Sequence, residues 1–178
     1  MNTVNINSFD LSDLFWNKIL EFSSLKNITS SKEFFEKIDN LDSLRQQSSY
    51  NTGSITSSTS WLLYSSTIFF KPKIIIEIGS FIGKSTFSMA LAAENYLSQH
   101  PCEIYCCDQS NEIIFPKISK TKIHQFHKTK STDMLKEINL SHKIDFIHLD
   151  GRVQEEDINI LKNNISNQTI FLLDDFEG

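Results

Sequence analysis

The chain is poor in several residue types. Of its 178 residues, 3 are cysteine, 3 proline and 5 glycine, and 17 basic residues face 22 acidic ones for a net charge of -5. Each shortage excludes something. Cys102, Cys106 and Cys107 are odd in number and crowded into one apparent strand, so they do not build a disulfide scaffold. Cys106 and Cys107 must point to opposite faces of that strand, which rules out a shared metal. They read as buried structural thiols of a reducing cytoplasm. The lack of basic excess argues against a nucleic-acid partner, which needs a cationic face for phosphates. The stretch from Lys117 to Lys130, with five lysines and two histidines, reads as solvated surface. No run approaches the ~20 apolar residues that cross a bilayer. The opening MNTVNINSFD has neither the basic nor the apolar region of an export signal. Expected, then, are no nucleic acid, no membrane and a cytoplasmic location.

What is present is material for a core. Apolar residues make up 39 % of the chain and phenylalanine alone supplies 14, enough for one domain and too few residues for two of ordinary size. Leu11, Leu14, Phe15, Ile19 and Phe22 recur at helical steps and predict an amphipathic helix. Ser30 and Glu33 have capping-box spacing and open a second helix with the stripe Phe34, Phe35, Ile38, Leu41. The polar segment from Ser48 to Ser60 predicts a loop, and Trp61 to Phe70 a helix that stops before Pro72. From Lys73 onward, short apolar runs alternate with segments of helical length. Strands are expected over Ile74–Ile78, Glu103–Cys107, Ile123–Phe126, Ile144–Leu149 and Thr169–Leu173. Helices are expected over Ser85–Leu97, with Phe87, Ala90 and Leu91 inward, over Ser131–Ile138, and over Gln154–Asn164, with Ile158, Leu161 and Ile165 on one face. Strands apolar throughout are buried on both sides, so the fold class is α/β: a doubly wound, Rossmann-like parallel sheet with helices on both faces. Residues 71–178 form this domain, residues 1–70 a helical extension with its polar loop, and the chain ends after the fifth strand.

In such sheets the ligand sits at the carboxyl ends of the strands, where the loop after the first strand meets a helix. Here that place reads EIGSFIGKST, Glu77 to Thr86. A phosphate-binding loop would explain GKST, with Lys84 on the phosphates. However, it requires four residues between its glycines, and Gly79 and Gly83 are separated by three. Glu77 would also set a carboxylate beside the phosphates, where like charges repel. A sulfonium with an ammonium group is the opposite case, and Glu-x-Gly-x-x-x-Gly before a helix reads as a loop for a cationic cofactor, with Lys84 a solvated lysine at the helix start. Asp108 ends the second strand, where a carboxylate can accept both ribose hydroxyls. The Gly-x-Gly-x-x-Gly of a nicotinamide site is absent.

EIGSFIGKSTFSMALA, IYCCD, KSTDML, IDFIHLDG and FLLDDFEG, in this order, resemble class I S-adenosylmethionine-dependent methyltransferases, and among them the small-molecule and sugar O-methyltransferases. The resemblance covers roughly residues 50 to 178. It implies O-methylation of a small molecule or saccharide, with Glu77, Gly79, Ser80, Phe81, Gly83, Ser85, Asp108, Ser131 and Asp150 on the cofactor. Tyr50, Gly53 and Ser54 resemble a segment these enzymes place nearby. Ser131 resembles the serine bordering adenine, and would equally serve as a helix N-cap. Asp150 and Asp175 match carboxylates that in the metal-dependent members bind Mg²⁺ and the substrate oxygens, although Phe176 stands where an asparagine ligand would be. Without a metal, either carboxylate could act alone as base or hydrogen-bond loop backbone. His148 reads as core-facing or beside the cofactor. Family members usually continue with a further helix and strand pair, so the chain as given is expected to bind the cofactor, to methylate slowly or not at all, and to self-associate through its fifth strand. The competing readings are a non-catalytic cofactor-binding or assembly module on the same fold and a P-loop phosphotransferase.

Overall fold

Ile74–Ile78, the first strand (β1), is buried at every position, which requires neighbours on both edges and cover on both faces. This is a computed structural model, and it describes residues 13–14, 16–18, 21, 31–45, 53–110, 120–140 and 142–174. The remaining strands are β2 (Glu103–Asp108), β3 (Lys122–His127), β4 (Phe146–Leu149) and β5 (Ile170–Leu173). They form a five-stranded sheet in the order β3-β2-β1-β4-β5, with every pairing parallel. The chain moves outward from β1 through β2 to β3, then returns to the other side of β1. The strand order therefore reverses between β1 and β4, and ligands of such sheets bind at the carboxyl ends of the strands there.

Among the described residues, α2 (Ser57–Phe70), α3 (Lys84–Ala93), α4 (Ser131–Glu137) and α5 (Glu155–Asn164) cover the sheet, and α1 (Ser31–Arg45) packs outside α2 and α3. On one face Leu63 of α2 and Met89 and Ala90 of α3 pack with Ile75, Ile104 and Phe146. On the other, Met134, Leu135 and Leu161 pack with Ile76, Ile78 and Ile147. A third cluster lies outside the first layer, where Phe34, Ile38 and Leu41 of α1 meet Trp61, Tyr64 and Ile68 of α2 and Phe87 and Leu91 of α3. Among the described residues no helix is long and apolar enough to cross a membrane.

Several expectations need correction. The polar segment is not loop to its end: α2 starts at Ser57, because Thr56 accepts a hydrogen bond from the Thr59 amide at 3.1 Å and so satisfies an orphan donor of the first turn. It stops as expected before Pro72, through Lys71 in the left-handed region (φ 49). Helix α3 ends at Ala93, short of Leu97, and Asn95 caps it by donating to the Leu91 and Ala92 carbonyls. Ile158 is 46 % exposed, since α5 turns Asp157 and Leu161 inward instead. The apolar face of β5 is also incomplete, with Phe171 and Leu173 exposed. Of the first expected helix, Leu11, Phe15, Ile19 and Phe22 lie outside the described residues, as do Ser30, Tyr50, Asp175 and Phe176; Leu14 is exposed.

Candidate functional site

The turn after β1 is built on a missing side chain. Gly79 has φ 90, and a Cβ there would stand 2.3 Å from the Asp150 carbonyl oxygen and 2.9 Å from the Gly151 nitrogen. Only glycine lets the β1 and β4 turns touch in this way. The Gly79 and Ser80 amides donate to the Cys107 carbonyl at 3.0 and 3.2 Å, tying the loop to β2 as well. Gly83, at φ 86, is the N-cap of α3, so the loop delivers its backbone directly into a helix start.

Asp108 closes this loop from the side of β2. One carboxylate oxygen accepts from the Phe81 amide at 2.8 Å and the other from the Ser110 amide at 2.7 Å. A carboxylate offers about four acceptor positions, so this one can still receive a diol. It lines a recess of about 180 Å³ together with Gly79, Gln109, Ser131, Asp150 and Arg152. Larger hollows occur elsewhere, one of about 890 Å³ among Lys37, Leu91, Glu94 and Lys122, but that one lies away from the carboxyl ends of β1 and β4.

Glu77 does not reach the recess wall. It is fully buried, facing α3, where one oxygen accepts from the Thr86 hydroxyl and the other is 3.2 Å from Nδ1 of His148. Glu77 and His148 are direct partners in the β1–β4 register. The His148 Nε2 is buried without a hydrogen-bond partner among the described residues. Burial, and next to it the Glu77 charge, push the neighbouring Cys106 thiol well above its usual range. All three cysteines are free and buried.

Ser131 stands at the recess, but it is the first residue of α4, not its N-cap, which is Lys130. Its hydroxyl donates to Asp157 at 2.7 Å, and Thr132 donates to the same carboxylate. Asp157 also accepts the Gln154 amide at 2.8 Å and is fully buried, so it locks the starts of α4 and α5 together. Sequence reasoning passed over Asp157, although its spacing from Gln154 is that of a capping box. Lys84 is a correction: it is 3 % exposed and not a solvated lysine. It lines a second, very small cavity with Gly53, Ser54, Ser80, Ser85 and Asp150.

Of the carboxylates that the resemblance assigns to Mg²⁺, Asp150 is described and Asp175 is not. Among the described residues no group of three or more His, Cys, Asp or Glu side chains gathers as a metal would require. The described residues do not by themselves make up a Mg²⁺ site, and the chemistry below runs through the chain's own groups. S-adenosylmethionine does fit them: Asp108 keeps acceptor positions at the end of β2 beyond the two amides it already receives, and it shares the recess with Gly79, Ser131 and Asp150.

A parallel sheet with this order and a Gly-x-x-x-Gly turn against the β4 loop is the architecture of class I S-adenosylmethionine-dependent methyltransferases. Residues 76–176 match the family of methyltransferase domains, and the chain belongs to that family. Similar folds occur in the SAH-bound Podospora anserina methyltransferase PaMTH1, with TM-score 0.65 and 14 % identity over 98 % of this chain and 73 % of that one. They occur also in a Bacillus cereus O-methyltransferase in complex with SAH, with TM-score 0.60 and 12 % identity over 89 % and 70 % of the two chains. A third is the Streptomyces achromogenes O-methyltransferase TomG in complex with SAM, with TM-score 0.60 and 11 % identity over 96 % and 74 %. No curated protein matches the chain in sequence.

Proposed function

We propose that this methyltransferase transfers a methyl group from S-adenosylmethionine to an oxygen of a small molecule or saccharide. The observation that carries the reading is the recess at the carboxyl ends of β1, β2 and β4, where Asp108, Gly79 and Asp150 meet. Asp108 takes the ribose hydroxyls. The Gly79–Ser85 turn, through Gly79, Ser80, Phe81, Gly83 and Ser85, faces the methionine end, and Ser131 borders the base. Glu77 lies beneath and holds the start of α3 through Thr86; its negative charge favours the cationic donor.

The cofactor supplies an electrophilic methyl carbon bonded to a sulfonium. An acceptor oxygen forms the new C–O bond in line as the C–S bond breaks, and the electron pair stays on sulfur. The chain's part is alignment and proton removal. Asp150, beside the turn, is the described carboxylate placed to take the acceptor's proton, with Asp175 the second candidate.

Support for oxygen as the acceptor atom comes from the sequence resemblance and from the O-methyltransferases among the similar folds. Calorimetry with SAH on wild type and Asp108→Ala tests the cofactor half. The variant should lose ~1.5–3 kcal/mol, the scale of hydrogen bonds to a charged group. Equal affinity would remove the ribose assignment. Methyl transfer to a panel of hydroxylated and amino acceptors tests the other half, and turnover confined to amines would overturn the choice of oxygen.

A further inference from the structure

No part of Asp157 is exposed, yet three donors converge on its carboxylate. Its Oδ2 accepts the Ser131 hydroxyl at 2.7 Å and the Gln154 amide at 2.8 Å, and its Oδ1 accepts the Thr132 hydroxyl. Capping α5 uses the Gln154 bond alone. The two hydroxyls come instead from the start of α4, and Ser131 lines the recess that Asp108 and Gly79 share. A carboxylate accepts and does not donate, whereas a serine hydroxyl has one proton and two lone pairs. With its proton committed to Asp157, Ser131 has only lone pairs left for the recess. Turning the proton away would leave a buried carboxylate oxygen short of a donor, which is costly.

A hydroxyl of fixed polarity discriminates between ligands. A ring amino group donates to it, whereas a ring oxo group meets it lone pair to lone pair, and such a mismatch rejects a ligand more strongly than a missing contact does. Gln109 and Arg152, which also line the recess, are exposed, and their long side chains can swing to suit either group. Ser131, at 7 % exposure, is held. We propose that Asp157 is a positioning residue for base selection: by holding the Ser131 proton, it makes the recess take a base with an amino group facing Ser131 and reject the same base with an oxo group there. Asp157 is not among the residues lining the recess, so it acts through Ser131, 26 positions away in the chain. The bond that ties the starts of α4 and α5 together is thereby also the one that sets the polarity of the recess wall.

This inference rests on the cofactor reading above, and the experiment lets the two fail separately. Three ligands are titrated calorimetrically: SAH with its 6-amino group, the 6-deamino analogue with hydrogen there, and S-inosylhomocysteine with an oxo group. Wild type should bind SAH tightest and S-inosylhomocysteine weakest, with roughly tenfold to a hundredfold between the extremes. A hydroxyl free to turn would donate to the oxo group and place S-inosylhomocysteine above the 6-deamino analogue. That order, or equal binding of all three, would overturn the proposal and leave the cofactor reading intact, whereas binding of none would overturn both. Asp157→Ala releases the Ser131 proton and should shrink the preference for SAH over S-inosylhomocysteine to severalfold or less; a wild-type ratio would remove Asp157 from the selection. Asp157→Asn is the conservative control. The Gln154 amide can only donate, so the asparagine must turn its oxygen to that side, where Ser131 donates too, and its amide to Thr132. The wild-type order should therefore persist, and its loss would overturn the proposal. Far-UV circular dichroism checks the fold of each variant. Should Asp157→Ala not fold, Ser131→Ala decides: it should bind the 6-deamino analogue and S-inosylhomocysteine alike, and an unchanged wild-type ratio would show that the base is not selected at Ser131.

Discussion

At Gly79 the contact with the Asp150 carbonyl oxygen is made by backbone on both sides, so no side-chain rotation can relieve a substitution. Gly79→Ala adds the strain of a positive φ, of order 1–3 kcal/mol, and must force the β1 and β4 turns apart. Expected is a lower melting temperature together with loss of SAH binding, read by thermal shift and calorimetry. Binding unchanged from wild type would mean that the two turns need not touch for the recess to work. Glu77 and His148 are coupled in another way. Removing the imidazole in His148→Leu leaves the Glu77 carboxylate buried with Thr86 as its remaining partner. Breaking a buried pair on one side costs about 3–5 kcal/mol. Glu77→Gln/His148→Leu removes the stranded charge as well, so its cost should fall below the sum of the singles by about 0.5–3 kcal/mol. Urea unfolding of the four proteins measures the difference, and strict additivity would show that the two side chains do not interact.

Among the elements, β2 makes the clearest demand on chemistry. Burial pushes the Cys107 thiol up from 9.0 to about 12, and Cys102, just before the strand, to about 11. A raised thiol holds its proton in the fold after the unfolded chain has released it. The stability it contributes is thus complete below pH 9 and is lost as the pH rises toward 11 to 12. Two results should follow: iodoacetamide at pH 8 labels the cysteines in urea and spares them in the native protein, and the urea midpoint falls between pH 8 and pH 10. Native labelling at the denatured rate would show that the strand opens. The same burial explains what was legible in advance. Strands β1, β2 and β4 are covered on both faces, which keeps them apolar nearly throughout and readable as runs, whereas β3 lies at the edge and mixes polar with apolar residues; β5 reads as an apolar run although Phe171 and Leu173 are exposed. Gly79, Asp108 and Asp150 were legible because strand ends mark them. The burial of Lys84 and the pairing of Glu77 were not, since they depend on Gly53–Ile55 and on His148, which only the folded sheet brings near. Helix ends were misplaced where a single side chain decides them, as Thr56 and Asn95 do.

For the whole molecule, the division at residue 70 between a helical extension and the sheet domain meets a packing argument. Helix α2 gives Leu63 to the cluster on the sheet and Trp61, Tyr64 and Ile68 to the cluster beneath α1, and α3 likewise contributes to both. Layers that share helices should melt together, so we propose that α1, α2 and the sheet form one cooperative unit. The chain has a built-in reporter for this. Its 2 tryptophans are Trp16 and Trp61, with ring centroids 5.0 Å apart, and Trp61 also stacks on Tyr64 at 5.3 Å and meets Phe34 at 5.2 Å. Tryptophan fluorescence therefore follows the outer cluster alone, while far-UV circular dichroism follows the entire fold. In urea the two signals should give one midpoint, which is the test of a two-state unit. Trp61→Ala should lower stability by about 3–5 kcal/mol, as truncation of a large buried aromatic does, and should shift the circular dichroism transition as a whole instead of splitting it. If the extension is instead a separate body, fluorescence will change at lower urea than circular dichroism, and SAH will still bind after the first transition. That outcome would restore residue 70 as a boundary, with the shared side chains of α2 as surface packing between two independent parts.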